Sequence, residues 1–410
     1  MSQFGRMAIE TFATRVLLMG MGLITSVIVA RILGPEGRGL YAVAASVGAL
    51  GVQFGNLGLH ASNTYQVAKN QRFLPALLAN TLIVSFGLGG FIAAAIWMLF
   101  SIWPESAPVQ GILLGLSLTY IPFGLGYMLL QNLLLGIQKI REYKIVELAN
   151  KVLVIGLVGL ATILGSVNAG TVFSTGIIAM GICLILMIWL MKTSLSCFPL
   201  PSLSILRENI HYGIKVYLTD FFSFLALRMN LLIVQYMLGA KEAGYYSIAI
   251  ALTDMVYMFP LIVGTLLFPK LAALEEDSEK WKLTKKMTYS VAFQMAGICG
   301  GIGVLAKPLV LMLYGEAFIH SVPLFYLSLI SVYFLSIQGI LVKYMASHGY
   351  PSTIMWIWFS VLVMSLPLNI LFISAMGLPG AMYASIVIDF ILMLQIIYFS
   401  VRHHRMVELT

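Results

Sequence analysis

The chain has 410 residues, 60% of them hydrophobic and only 10% charged, with a mean hydropathy of +0.96 and a formal net charge of +8. Soluble domains average about 25% charged residues, so the composition excludes a water-soluble fold and implies a polytopic helical membrane protein. The positive balance then reads as basic cytoplasmic loops, not as a nucleic-acid surface.

Met1 to Glu10 is polar, and the first apolar run is long enough to stay in a membrane, so no cleavable signal peptide is read here. A bilayer core takes about 20 apolar residues per helix. Twelve such runs occur, near 11–33, 39–66, 77–103, 109–136, 145–164, 171–191, 212–238, 244–269, 288–313, 321–346, 353–376 and 379–401. The longest connections are 192–211, with Pro199 and Pro201, and 271–287. The first divides the chain into an N-terminal lobe, 1–195, a linker, 196–211, and a C-terminal lobe, 212–410. Six helices per half return each half to its starting side, which predicts two parallel six-helix lobes.

Loops on the side of the N-terminus carry fifteen Lys and Arg residues, from Arg6 to Arg405, whereas the other side carries Arg38, Lys241 and Lys307. That asymmetry predicts cytoplasmic termini and a multi-pass protein of the cytoplasmic (inner) membrane. The mixed charge run Glu275 to Lys286 reads as a surface helix with Trp281 at the headgroups. Gly51–Gly55, Gly111–Gly115 and Gly297–Gly301 have the GxxxG spacing of packed membrane helices.

The two halves carry an internal repeat. LGPEGRGLYAVAAS at Leu33–Ser46 aligns with LGAKEAGYYSIAIA at Leu238–Ala251, matching at five of fourteen positions. The offset is 205, half of the chain, and a half-length period points to duplicated architecture.

Ionisable side chains inside a membrane are costly and are site candidates by default. The basic ones are Arg15 on the first helix, Lys151 on the fifth, Lys215 and Arg228 on the seventh and Lys343 on the tenth; the acidic ones are Asp220, Asp254 and Asp389. Arg228 lies about 24 Å from the cytoplasmic end of its helix at 1.5 Å per residue, too deep to reach water easily, and Asp254 lies roughly 15 Å into the next helix. Arg228 and Asp254 read either as pathway residues or as a structural ion pair. On the second helix Gln53, Asn56, His60 and Asn63 are spaced 3, 4 and 3, which puts them on one face. Amide and imidazole groups both donate and accept, as sugar hydroxyls require, although hydrogen bonding between helices would use the same residue types. Asn132, Gln131 and Asn150 would extend that lining. His60 has no second ligand at coordinating spacing, and Cys183, Cys197 and Cys299 make no CxxC, so neither metal nor cofactor is expected. There is no P-loop and no large loop to hold a catalytic constellation, so no enzyme is expected.

LGPEGRGLYAVAAS, and LGAKEAGYYSIAIALTD followed by LFPKLA, resemble the polysaccharide transporters of the multidrug/oligosaccharidyl-lipid/polysaccharide exporter superfamily, the Wzx-type O-antigen and capsule-repeat flippases. The resemblance spans essentially the whole chain. It implies an all-α fold of about twelve membrane helices in two lobes, with a V-shaped, cationic cavity opening alternately to each side. The implied substrate is a polyprenyl-pyrophosphate-linked oligosaccharide, flipped during O-antigen, capsule or exopolysaccharide synthesis. Membrane lipid is an implied partner, beside a glycan polymerase and glycosyltransferases. Arg228-Met229-Asn230 stands where the family commonly has Arg-x-Asp, which would leave Arg228 freer to bind an anion. Arg15 matches a frequent basic position, and Arg38 stands where an aromatic residue is common. The rival readings are a drug/ion antiporter of the same superfamily, a lipid II flippase and, from another class, a membrane glycan polymerase or ligase. The antiporter would want a buried carboxylate in the N-terminal lobe, where every acid lies in a loop or at a helix end. A polymerase or ligase would want a long outer loop.

Overall fold

The computed structural model describes residues 3–195, 197–349 and 352–408, without the side chains of 3–13, 15, 215, 216, 407 and 408. Every regular element among them is helical. The helices are α1 (Gln3–Asn56), α2 (Leu59–Lys69), α3 (Leu74–Ile83), α4 (Gly89–Ile102), α5 (Gly111–Gly136), α6 (Ile140–Ile163) and α7 (Ala169–Met191). They are followed by α8 (Leu203–Leu238), α9 (Ala240–Ala273), α10 (Asp277–Tyr314), α11 (Ser321–Ala346), α12 (Ser352–Met376) and α13 (Leu378–Glu408). Among the described residues, eleven segments are long and apolar enough to cross a bilayer. The first, Val16–Asn56, holds two helices joined at Gly34, whose φ of 67° and ψ of −177° interrupt the ladder just before Pro35. The protein is a multi-pass membrane protein.

The repeat seen in the sequence is a repeat of backbone geometry. Gly239, the partner of Gly34, has φ 98° and ψ 179°, a left-handed region that costs a residue with a Cβ about 1–3 kcal/mol. The aligned Ala44 and Ala249 are both fully buried. Each copy is a glycine break followed by a helix whose small residues face inward.

The chain forms two compact units, Met1–Phe221 and Phe222–Thr410. In unit one α5 is the hub, packing on α1, α7, α2 and α4. Gly51 and Gly55 make this possible. A Cβ on Gly51 would lie 2.3 Å from the Ile121 side chain, and one on Gly55 would lie 2.8 Å from Leu125. The other two expected pairs do not work this way, since Gly115, Gly297 and Gly301 have no atom within 4 Å of an added Cβ. In unit two α11 is central, packing on α9, α13 and α10.

Three expectations change. The second predicted helix is not continuous. α1 ends at Asn56, Leu57 and Gly58 take positive φ values of 48° and 76°, and α2 begins at Leu59. The connection expected at 271–287 is almost entirely helix, with only 274–276 between α9 and α10. Trp281 is buried against Tyr344 and His404 and is not a headgroup anchor. Arg31, in neither the loop count nor the embedded set, is exposed three residues before Gly34.

The Leu57–Gly58 break is where α8 crosses unit one. A Cβ on Gly58 would lie 2.4 Å from the Gly213 carbonyl oxygen, and one on Gly213 would lie 2.6 Å from the Gly58 carbonyl oxygen. These obstacles are backbone and cannot rotate away. Gly213→Ala should therefore lower stability by about 1–3 kcal/mol through overpacking. Gly297→Ala, in open space, should leave the melting temperature unchanged or raise it. Thermal unfolding of the purified variants in detergent checks both.

Candidate functional site

Unit one presents a polar seam where α2 meets α8. His60 Nε2 lies 3.3 Å from Asp220 Oδ2, and Nδ1 lies 2.8 Å from Asn56 Nδ2. With Nε2–H donating to the carboxylate, Nδ1 accepts from the Asn56 amide. Asp220 and His60 are half-open, with side chains 44% and 24% exposed, so a ligand can reach them. The rest of the seam is paired, buried at Asn63 and Gln66 and exposed at Tyr65, Glu208 and Tyr212. Asn63 is buried, donates to Thr81 Oγ1 at 3.0 Å and accepts from Asn209 Nδ2 at 3.0 Å. Gln66 donates to Glu208 at 3.1 Å, and Tyr65 stacks on Tyr212 with ring centroids 4.5 Å apart. Asn80 exchanges two hydrogen bonds with the Ser202 backbone, which fixes the entry to α8.

Unit two encloses a cavity of about 320 Å³ lined by α8, α9, α11, α12 and α13. This is at the small end of ligand pockets. At its border Arg228 Nη2 lies 3.7 Å from Asp254 Oδ2, with side chains 48% and 58% exposed. That separation exceeds a direct hydrogen bond. Pairs exposed to this extent contribute about 1 kcal/mol at most. Deeper in, Asn369 donates to Asn230 Oδ1 at 3.0 Å, and Asn230 donates to Ser385 Oγ at 3.1 Å. Thr253 and Ser328 share a 2.5 Å hydroxyl contact, and Ser331 donates to the buried Asp389. The Gln338 Oε1 and Asn369 Oδ1 oxygens are buried and accept no hydrogen bond. The cavity therefore carries one cation against two carboxyl groups.

The residues predicted from sequence fall into three groups. Asn56, His60 and Asp220 meet in unit one, and Arg228 and Asp254 meet in unit two. Asn63 and Asn132 are tied into packing; Asn132 donates to Met128 O within α5 and receives a bond from Thr64. Gln53 is buried, and Lys151 is half-buried on α6. The side chains of Arg15 and Lys215 lie outside the described residues. Asn230 removes an acid from Arg228's own helix, and Asp254 on the next helix stands beside it instead, the pairing that the sequence left open. Sequence reasoning missed Thr253, Ser328, Ser331, Asn369 and Ser385. Small hydroxyl and amide residues at helix spacing stand out neither by charge nor by hydropathy. Among the described residues no cluster of three or more His, Cys, Asp or Glu side chains is placed to hold a metal.

Replacing Asn369 by Leu would strand the Asn230 carbonyl. It is expected to cost about 1–3 kcal/mol, measured by thermal unfolding, whereas Asp254→Asn should cost less than about 1 kcal/mol.

Residues 28–323 match the family model described as "Polysaccharide biosynthesis protein". Among solved structures, the chain is similar to an inward-facing multidrug resistance MATE family transporter of the MOP superfamily. The TM-score is 0.75 and the identity 14%, with 95% of each chain covered. It is also similar to the lipid II flippase MurJ in an inward closed conformation. Here the TM-score is 0.75 and the identity 15%, over 96% of this chain and 87% of that one. A MOP superfamily transporter from Pyrococcus furiosus, described as having a binding pocket of reverse polarity, aligns with a TM-score of 0.64 and 13% identity over 96% and 93% of the two chains. No curated protein matches the sequence. At these identities the likeness carries the fold, which is that of the MOP transporters.

Proposed function

The chain belongs to the polysaccharide biosynthesis protein family, and from that premise we propose that it is a flippase that carries a polyprenyl-pyrophosphate-linked oligosaccharide across the cytoplasmic membrane by alternating access. The observation that carries this reading is the family match over residues 28–323, on a chain whose fold is that of MOP transporters. The chemistry of the polar sites supports it. The Asn56–His60–Asp220 group offers donors and acceptors to sugar hydroxyls. Arg228, held only loosely by Asp254, offers a guanidinium to a phosphate, which outcompetes a single carboxylate by charge and by paired hydrogen bonds. A cavity of about 320 Å³ cannot hold a whole lipid-linked oligosaccharide, so it would receive part of the headgroup. The termini are proposed to be cytoplasmic, as the loop charges suggest.

The cell interior is electrically negative relative to the outside. Moving one charge across 100 mV is worth about 2.3 kcal/mol, so a headgroup of about two negative charges gains roughly 4–5 kcal/mol moving outward. That driving force makes an ion gradient unnecessary in principle.

One observation favours the second reading, a drug/ion antiporter. Asp220 packs with the N-terminal unit and places an accessible carboxylate there, which the sequence alone had assigned to the other half. Proteoliposomes separate the two readings. The flippase should move a fluorescent polyprenyl-pyrophosphate glycan between leaflets, faster with a negative interior. An antiporter should instead export a cationic dye against a proton or sodium gradient. Dye export without glycan movement would overturn the proposal. Within it, Arg228→Ala should slow glycan movement about tenfold or more, the worth of one charge-assisted hydrogen bond. Asp254→Asn should lower the glycan concentration needed for half-maximal rate.

A further inference from the structure

Gln338, on α11, lines the cavity of unit two and is only 4% exposed. Its Oε1 accepts no hydrogen bond. Buried acceptors without a donor are rare, because burial takes away the water they would bond to. An unmet acceptor in a cavity wall points to a donor that arrives with a ligand.

The same wall sets the chemistry of that ligand. Ser331, Leu335 and Gln338 are spaced 4 and 3 along α11, which puts them on one face. Ser331 donates to Asp389 of α13, and both are buried. Gln338 lies about 10 Å along the helix from Ser331 at 1.5 Å per residue. The cavity thus offers a carboxyl group at one level and an amide at another. Trp358 of α12, also buried, adds apolar area to the lining. An apolar molecule would leave the Gln338 oxygen and the Asp389 carboxyl group facing hydrocarbon. A bare anion is no better suited, since the depth holds a carboxyl group and the one cation, Arg228, stands at the border. A sugar ring fits. Its hydroxyls donate to the amide oxygen and the carboxyl group and accept from the amide N–H, while its C–H face meets the indole. The volume, at the small end of ligand pockets, suits one ring and not a chain of them.

We propose that this cavity is the subsite for the sugar joined directly to the diphosphate, and that Gln338 determines which substrates it accepts. The inference rests on the flippase reading above, in which Arg228 takes the diphosphate. A diphosphate held at the border leaves only the sugar bonded to it within reach of the depth. A lipid without that sugar strands the Gln338 oxygen, so the site rejects it more strongly than loss of apolar contact alone would.

Competition binding to the full chain in lipid nanodiscs, read by native mass spectrometry, tests this. The probes are polyprenyl pyrophosphate and its conjugates with a single glucose, galactose or N-acetylglucosamine. At least one conjugate should bind about tenfold or more tighter than the bare lipid. Gln338→Met, which removes the polar atoms at nearly constant length, should cut that preference about fivefold or more, the worth of one hydrogen bond. Ser331→Ala withdraws the donor that sets the Asp389 carboxyl group; it serves as a second variant and should cut the preference as well. Gln294→Met, at an exposed position on α10, should keep it. If the wild-type chain moves the glycan between leaflets yet binds bare and sugar-bearing lipids alike, the subsite is overturned and the flippase reading stands. If it binds none of these lipids, both fall. A preference unchanged in Gln338→Met, or a variant that loses only sodium-dependent stability, also overturns the subsite.

Discussion

An unpaired peptide group in hydrocarbon costs several kcal/mol, and the architecture follows from avoiding that cost. Helices supply every internal bond, and the chain leaves helical geometry only where something takes over. At Gly34 and Gly239 the break is a single residue, and the next helix begins at once. At Leu57–Gly58 the gap is two residues, and α8 closes over it, with Gly213 in backbone contact with Gly58. Where α8 begins, the Asn80 amide pairs with both polar groups of the Ser202 backbone. Other amides that look functional in the sequence are tied into packing, Asn63 to Thr81 and Asn209 and Asn132 to Met128.

The amides and acids left over are of two kinds. In unit one the accessible set is His60 and Asp220, backed by the buried Asn56 amide, able to donate and accept in several directions. In unit two it is a water-exposed ion pair at the border of a cavity whose depth is lined by hydroxyls, amides and a buried carboxyl group. The first suits a polyhydroxylated ligand. The second suits a group whose charge can exchange partners with Arg228. A lipid-linked glycan headgroup, the substrate proposed above, contains both chemistries.

The membrane character and the helix positions were legible because a bilayer imposes a length on apolar runs, and the duplication was legible because Leu33–Ser46 and Leu238–Ala251 keep their spacing. The break at Gly58 was not legible: the 3–4–3 polar pattern runs straight through it, since His60 still finds Asn56 across the distortion. Arg228 and Asp254 were legible as a possible ion pair, but whether they meet depends on how α8 and α9 turn against each other. Trp281 looked interfacial beside its lysines, and only the fold brings Tyr344 and His404 under it. Hydropathy locates segments well and reports poorly on which face meets which neighbour.

Between α3 and α4 the chain makes one π-helical turn, Val84–Leu88. Before it, α3 is buried at Leu74, Leu77, Leu78, Asn80 and Thr81; after it, only Gly89 of α4 is buried, and the helix turns apolar side chains such as Phe91 and Trp97 outward. A π turn holds one residue more than an α turn, and each residue rotates the helix by about 100°. The surplus residue works as a phase shift. A homologue that moved or lost it would show its neighbours and the lipid a different set of side chains without exchanging any of them.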